Sequence, residues 1–307
     1  MILTAGPFHY EVDAEWGEPP GETTFAECAG VSVDADDNVW AFNIPTGELM
    51  VFRPDGKLTS VWPHRYENVH GIDFDADGNV YLVNRNEHAV TKYSPEGEEL
   101  VTMGTAGVPS DTGYSLQKGR DTGWANPVPR AGHPFNVPSG VRIAPNDDVY
   151  VANGYANSRV HRFSPGGDLL KSWGEPGKGG PGEFHLVHGL FIDSRERVLI
   201  CDRLNNRIQI YGLDGEFLSM WTDLKMPSKV HEGPDGQVAV TEHAGRLTIL
   251  NLNGTVLGRW GDADNTGLFA WPHGLAIDSV GNIYVGHVTA VGAPTGSGQR
   301  LTRLTRV

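Results

Sequence analysis

The sequence has few cysteines and no excess of positive charge, and each shortage excludes a class of protein. Only Cys28 and Cys201 occur among 307 residues, which rules out a disulfide framework. We interpret both as small buried apolar residues of strands. The net charge of −14 argues against nucleic acid or an anionic membrane as a partner, because both need a basic protein surface.

Targeting signals and helical patterns are also missing. The first residues, MILTAGPFHYEVDAEWG, have neither a basic start nor an apolar run of signal length, and no segment approaches a membrane span. We therefore expect a cytoplasmic protein. No window carries an apolar stripe of helical period over several turns, which disfavours a helical fold.

Glycine and proline, in contrast, are abundant, with 40 and 20 residues. They separate short runs rich in valine and isoleucine. This pattern is typical of many short strands joined by tight turns.

One phrase of sequence recurs six times, as in HGIDFDADGNVYLVN and HGLAIDSVGNIYVGH. Most copies are spaced by roughly 40 to 50 residues, and each is followed by two further strand-like segments, the typical signature of a propeller blade. We predict an all-β fold, a single six-bladed β-propeller domain over residues 1–307. The six copies begin at Ala29, His70, Ser139, His188, Ser228 and His273.

The last repeat lacks an obvious fourth strand, and the N-terminus offers one. The segment HYEVDAEWGEPPGETTFAECAG parallels DLLKSWGEPGKGGPGEFHLVHG, which contains the fourth strand of an earlier repeat. We predict that the N-terminal strand completes the last blade and closes the propeller, which removes exposed sheet edges.

Residues 104–136 form an insertion that lengthens one repeat and has no strand pattern. Long loops of this kind in compact domains often cover a functional site. We predict a lid over the face that carries the first residue of each repeat. A tolerated surface insertion is the alternative.

Histidine occupies the first position of the second, fourth and sixth repeats only, at His70, His188 and His273. In a six-bladed ring these positions converge from three directions, and three imidazoles with an open fourth position suit a metal ion. We predict a divalent transition metal, with Zn²⁺ first, although iron, cobalt, nickel and copper also accept imidazole. The alternatives are that each histidine binds a channel water, or that the repeats inherited it by descent.

The turns between the second and third strands open on the same face. Arginines there can hold a carboxylate through two hydrogen bonds, and a tyrosine can act as a base. For each residue, surface exposure or blade packing is the alternative, and we interpret Asp202 as a turn residue. The candidate catalytic residues are Arg85, Tyr155 and Arg203, and the candidate substrate-binding residues are Asn153, His243 and His287.

The repeats resemble NHL repeats. The three histidines, together with NGYANSR and DRLNNRI, resemble the peptidylamidoglycolate lyase family, also called peptidyl-α-hydroxyglycine α-amidating lyase. The resemblance covers residues 30–288 and is strongest over 137–212. It implies a six-bladed propeller that holds zinc through the three histidines and cleaves a C–N bond of an α-hydroxyglycine to an amide and glyoxylate. It also implies Tyr155 as the catalytic base and Arg203 as a carboxylate ligand.

Two positions depart from the family pattern. The arginine of the first blade is replaced by Ile44, and the aspartate after the last zinc histidine, which serves a structural calcium, is replaced by Gly274. We therefore do not predict that calcium. Arg85, at the corresponding turn of the second blade, is a candidate replacement for the lost charge.

Three functions are compatible with the sequence. The first is a metal-dependent lyase acting on a small polar, carboxylate-bearing substrate. The second is a metal-dependent hydrolase of an ester, lactone or amide, which needs the same histidines and a base but no carboxylate-binding arginine. The third is a non-enzymatic NHL-type scaffold that binds peptide or protein.

Overall fold

The computed structural model describes residues 1–19, 21, 25–125, 127–289 and 301–307. The chain divides into two compact units: Met1–Glu67 together with Ser228–Val307 form the first, and Asn68–Pro227 form the second. That the chain acts as a single domain stays a prediction. Among the described residues, no helix is long and apolar enough to cross a membrane.

Strands dominate the described residues, accompanied by a short α-helix, α1 (Leu116–Asp121), and 3₁₀ turns at Arg203–Asn205 and Gly267–Phe269. The first fourteen strands are β1 (Ile2–Ala5), β2 (Phe8–Trp16), β3 (Cys28–Val33), β4 (Val39–Asn43), β5 (Glu48–Phe52), β6 (Leu58–Arg65), β7 (Val69–Phe74), β8 (Val80–Asn84), β9 (Ala89–Tyr93), β10 (Glu99–Gly104), β11 (Gly140–Ile143), β12 (Val149–Asn153), β13 (Arg159–Phe163) and β14 (Leu169–Trp173). The others are β15 (Glu175–Pro176), β16 (Glu183–Phe184), β17 (Val187–Ile192), β18 (Arg197–Asp202), β19 (Arg207–Gly212), β20 (Phe217–Trp221), β21 (Pro227–Glu232), β22 (Gln237–Glu242), β23 (Arg246–Asn251), β24 (Val256–Trp260), β25 (Pro272–Ile277), β26 (Ile283–His287) and β27 (Leu301–Arg306).

These strands form six blade-like sheets, which confirms the all-β, six-bladed prediction. Five sheets have four strands each: β3–β6, β7–β10, β11–β14, β17–β20 and β21–β24. The first, fifth and sixth blades belong to the first unit, and the second, third and fourth belong to the second unit. A two-stranded parallel sheet, β15 with β16, lies between the third and fourth blades in the chain.

The sixth blade combines both ends of the chain, in the order β1-β2-β27-β26-β25. Strand β2 pairs antiparallel with β27, for example through Tyr10 and Arg306. The predicted closure by the N-terminal strand is thus confirmed. Strand β1 adds a fifth, outer strand, which the sequence pattern did not predict.

The repeated Asp-x-x-Gly-Asn segment closes the hairpin between the first two strands of a blade. In the second blade, the Asp75 carboxylate accepts backbone hydrogen bonds from Asp77 (3.1 Å) and Asn79 (2.9 Å). Gly78 adopts φ +79°, a left-handed conformation that glycine reaches at little cost. These turns fix the register, so that the start of each first strand and the end of each second strand lie together.

The two cysteines agree with their interpretation. Cys28 in β3 and Cys201 in β18 are both free and fully buried. They pack as small apolar side chains in their blades.

Candidate active site

Each of the three histidines lies at a β-bulge. In the second blade the pairing of β7 with β8 shifts between Val69 and Gly71, which leaves His70 as the extra residue. The same shift occurs around His188 in β17 and around His273 in β25. A bulge bends the strand and redirects one side chain, and bulges are frequent next to active sites.

The glycine that follows the histidine is required by close packing. A Cβ on Gly71 would lie 3.0 Å from the Gly140 Cα and 3.1 Å from the Val141 nitrogen, both in β11 of the next blade. A Cβ on Gly274 would lie 2.8 Å from Val31. The His-Gly dipeptide therefore combines a redirected imidazole with a close approach of neighbouring strands.

In the second unit, two of the histidines share one tyrosine. The Tyr155 hydroxyl lies 3.0 Å from Nε2 of His70 and 2.9 Å from Nε2 of His188. The two imidazole centroids are 4.8 Å apart, and both histidines are fully buried. The structure thus brings the predicted base and two predicted metal ligands into direct contact.

The hydrogen bonds of the imidazoles define which nitrogen is available. Nδ1 of His70 is 2.6 Å from the Ser139 carbonyl oxygen, and Nδ1 of His273 is 3.2 Å from the Ala29 carbonyl oxygen. A carbonyl oxygen only accepts, so Nδ1 carries the proton and the lone pair is on Nε2. This arrangement is typical of histidines that bind metals through Nε2.

The two predicted arginines lie next to Tyr155. The guanidinium carbon of Arg85 is 4.5 Å from the centroid of the Tyr155 ring, and Arg203 makes a side-chain hydrogen bond with Tyr155. Burial lowers the pKa of both arginines, and the charge of Arg85 lowers that of Arg203 further. The site is therefore positively charged and poorly hydrated around the tyrosine.

Arg85 and Arg203 occupy equivalent positions, directly after the second strand of their blades. The Arg85 backbone nitrogen donates to Asn68 (3.1 Å), and the Arg203 nitrogen donates to Leu186 (3.1 Å). Each acceptor lies two residues before a histidine of its own blade. This backbone bond is what places each arginine beside the histidine.

The first blade has the same backbone bond but no arginine. There the nitrogen of Ile44 donates to the Glu27 carbonyl oxygen at 3.3 Å. Ile44 is thus structurally equivalent to the two arginines, as the comparison of the turns of the repeats predicted. The charge is absent from this position in the first blade and present in the second.

The insertion places an aromatic residue, Trp124, next to Tyr155, and the sequence pattern did not predict this residue. Trp124, three residues after α1, lies with its ring 4.8 Å from the Tyr155 ring and 5.0 Å from the Arg85 guanidinium carbon. Tyr114 and Val128 pack in the same apolar cluster as Tyr155. The insertion therefore contacts the site, while its action as a lid stays a prediction; Asn126 lies outside the described residues.

Asn153 is engaged in anchoring the insertion. Its Nδ2 donates to the Pro134 carbonyl oxygen at 2.8 Å, and its Oδ1 accepts from the Asn136 backbone nitrogen at 3.3 Å. Asp202 holds the equivalent position in the fourth blade and accepts from the His185 nitrogen at 2.8 Å. The turn role interpreted for Asp202 agrees with these contacts, whereas substrate binding by Asn153 stays a prediction.

In the first unit, His243 and His287 have different neighbours. The His243 ring lies 5.7 Å from that of His273. His287 is bonded within its own blade, through Nδ1 to Ala270 (2.8 Å) and Nε2 to Thr302 (2.9 Å), and burial lowers its pKa to about 4. Substrate binding stays a prediction for both; residues 290–292 of the His287 turn lie outside the described part.

Known proteins show the same two resemblances. The NHL repeat model matches residues 135–163. Human NHL repeat-containing protein 3 is 28% identical over 309 residues, covering 92% of this chain and 82% of that protein. Rat peptidylglycine alpha-amidating monooxygenase is 28% identical, covering 68% of this chain and 23% of that protein. Peptidyl-alpha-hydroxyglycine alpha-amidating lyase 1 of Drosophila melanogaster is 27% identical, covering 64% of this chain and 34% of that protein.

These similarities confirm the resemblance to NHL-repeat proteins and amidating lyases. The chain spans about a quarter to a third of the amidating proteins it matches. Among solved structures, a streptogramin B lyase superposes with a TM-score of 0.64 at 12% identity, covering 99% of this chain and 100% of that one. A likeness at this identity shows the fold alone.

Proposed function

We propose that this protein is a metal-dependent lyase that cleaves the C–N bond of a small α-hydroxyglycine-type substrate. The observation that carries the proposal is the buried Tyr155 hydroxyl, within hydrogen-bond distance of His70 and His188 and next to two arginines. The similarity to amidating lyases supports the same reaction class.

The metal would be held by His70, His188 and His273, each of which is buried. The chemistry of the donors fits, because Nδ1 of His70 and of His273 donates to a carbonyl oxygen and leaves Nε2 for a metal. Neutral imidazole suits Zn²⁺, which we propose as the first choice. A bound divalent ion would act as a Lewis acid on the substrate hydroxyl.

The protein's own residues handle the proton and the charge. Tyr155 accepts the proton of the substrate hydroxyl, and the carbinol oxygen becomes the aldehyde of glyoxylate as the C–N bond breaks. The electron pair of that bond goes to the amide nitrogen, which takes up the proton that Tyr155 accepted from the hydroxyl, so that the tyrosine is restored. Arg203 binds the carboxylate and holds the hydroxyl beside Tyr155. Such positioned proton transfer contributes about 10²- to 10⁴-fold to rate.

Glyoxylate release from N-benzoyl-α-hydroxyglycine tests the proposal. We expect metal-loaded wild type to release glyoxylate and benzamide in equal amounts, and Tyr155→Phe to lower kcat by about 10²- to 10⁴-fold while keeping its bound metal. Tyr93→Phe, a tyrosine at the end of β9, is the matched control and should be unaffected.

Two results would contradict the lyase. Metal-loaded wild type that releases no glyoxylate excludes this reaction, and hydrolysis of an ester or lactone by the same preparation would favour the hydrolase. Full activity in Tyr155→Phe excludes the role of the tyrosine.

A further inference from the structure

Arg85 and Arg203 are two buried cations without an acidic partner. Among the residues that the structure describes, neither makes an ion pair with a carboxylate, and Nε of each is buried without a hydrogen-bond partner. The charged or titratable groups that act on Arg85 are Tyr155 and Arg120, and those that act on Arg203 are Tyr155 and Arg85. Arg120 therefore repels the Arg85 guanidinium, and Arg85 repels the Arg203 guanidinium.

Such an arrangement is costly for the protein alone. Burying a charge without a counter-ion is unfavourable, and a second like charge adds to the cost. A ligand anion would neutralise both arginines and satisfy their unused N–H donors. Charge-assisted bonds from guanidinium to carboxylate are among the strongest hydrogen bonds in proteins.

The Arg85 guanidinium contacts two neighbouring aromatic rings, whose centroids are 4.8 Å apart. Its guanidinium carbon lies 4.5 Å from the Tyr155 centroid and 5.0 Å from the Trp124 centroid. Cation–π contacts of this kind hold arginine in a fixed orientation. Tyr155 belongs to the blade, whereas Trp124 comes from the insertion.

We propose that Arg85 and Arg203 together form the subsite for the carboxylate of the ligand, and that Trp124 is a positioning residue that orients Arg85. This inference rests on the proposed function for the identity of the substrate. It adds Arg85 as a second carboxylate-binding residue. The equivalent position in the first blade is the uncharged Ile44. It also assigns the insertion a part in specificity.

The test measures the binding of two unreactive probes that differ in one charge. N-acetylglycine carries the carboxylate but lacks the α-hydroxyl group, so it binds without turnover. N-acetylglycinamide is its neutral counterpart. Calorimetric titration of metal-loaded wild type should show preference for the carboxylate by tenfold or more.

Variants at Arg85 and Trp124 then show which residues cause the preference for the carboxylate. Arg85→Gln should weaken N-acetylglycine binding by about tenfold to a hundredfold and leave the amide unchanged. Trp124→Leu should weaken it about three- to tenfold, with Trp124→Phe restoring most of the loss. Arg53→Gln, which removes an arginine of an exposed ion pair, is the matched control and should bind as wild type.

Circular dichroism and metal content are recorded for every variant. Equal binding of both probes by wild type, or no binding of either, would overturn the inference. An unchanged carboxylate preference in folded Arg85→Gln would also overturn it. If that variant does not fold, Arg85→Met replaces it, and an unchanged preference in that uncharged variant likewise overturns the inference. Turnover of N-benzoyl-α-hydroxyglycine with no effect of these variants leaves the lyase intact and removes only the subsite. A carboxylate preference that depends on Arg85, without turnover of N-benzoyl-α-hydroxyglycine, supports the subsite and contradicts the lyase.

Discussion

At the scale of single residues, the chemistry follows from where each side chain lies in its blade. His70 was predicted from its place in the repeat, and the structure places its Nε2 within 3.0 Å of the Tyr155 hydroxyl. The roles of His70 as a metal ligand and of Tyr155 as a base stay predictions. Trp124 was missed because no periodic pattern exists in the insertion. The only available signal was a tryptophan in a segment otherwise poor in large apolar residues.

Buried His161 makes the stability of the protein depend on pH. Burial lowers its pKa to about 3, so the folded state keeps it neutral at pH values where the unfolded chain takes up a proton. Stability is therefore present above the unfolded pKa of about 6.5 and is lost as pH falls towards the folded value. Between pH 7 and pH 5 we expect His161 to account for a loss of about 2 kcal/mol.

Urea unfolding followed by circular dichroism at both pH values measures this loss. His161→Gln keeps a hydrogen-bonding group at the position and should remove this loss. The contributions of the other histidines whose pKa burial lowers should remain, namely those of His88, His133, His185 and His287. Identical pH dependence in wild type and His161→Gln would contradict the assignment.

At the scale of elements, the repeated phrase predicted strands, turns and the slot of each histidine. The bulge at that slot could not be predicted, because it depends on the pairing of β7 with β8 and on the approach of β11. The outer strand β1 and the helix α1 were also missed. Both are short, and their stability comes from packing rather than from an intrinsic pattern.

The packing of β7 against β11 makes Gly71 intolerant of a side chain. In Gly71→Ala the new Cβ would press on the backbone at Gly140 and Val141, and we expect a loss of about 1–3 kcal/mol of unfolding free energy. Gly180→Ala is the control, because nothing lies within 4 Å of a Cβ there. Equal stability of both variants in urea unfolding would show that the strands do not approach as described.

At the scale of the whole molecule, the propeller fold was predictable because a sixfold repeat leaves few alternatives. The closing strand was recognisable because the N-terminal segment copies the fourth strand of another blade. How the arginines meet Tyr155 was not predictable, since that depends on backbone bonds such as that from Arg85 to Asn68. The repeat pattern of the sequence therefore predicted the fold, but it did not predict the contacts between the side chains of the site.

Closure by β2 predicts that the N-terminal strand is essential for stability. Removal of residues 1–16 deletes the buried Phe8, Tyr10 and Trp16 and exposes the edge of β27, which would promote aggregation. Each buried aromatic side chain contributes about 3–5 kcal/mol. Removal of residues 1–6, which deletes only β1, should have a much smaller effect.

Thermal unfolding and light scattering compare the two truncated proteins. A truncation of residues 1–16 that keeps the melting temperature and the particle size of wild type would contradict the closing role of β2.

The central claim is that His70, His188 and His273 bind a metal, and metal analysis tests it most directly. Wild type is purified without added metal or affinity tag, beside His188→Ala and beside His64→Ala, an exposed histidine of β6, as a control. The account predicts about one equivalent of a divalent transition metal in wild type and in His64→Ala, and its loss in His188→Ala. Folded wild type that holds no metal, and gains none when zinc is added, would contradict the account.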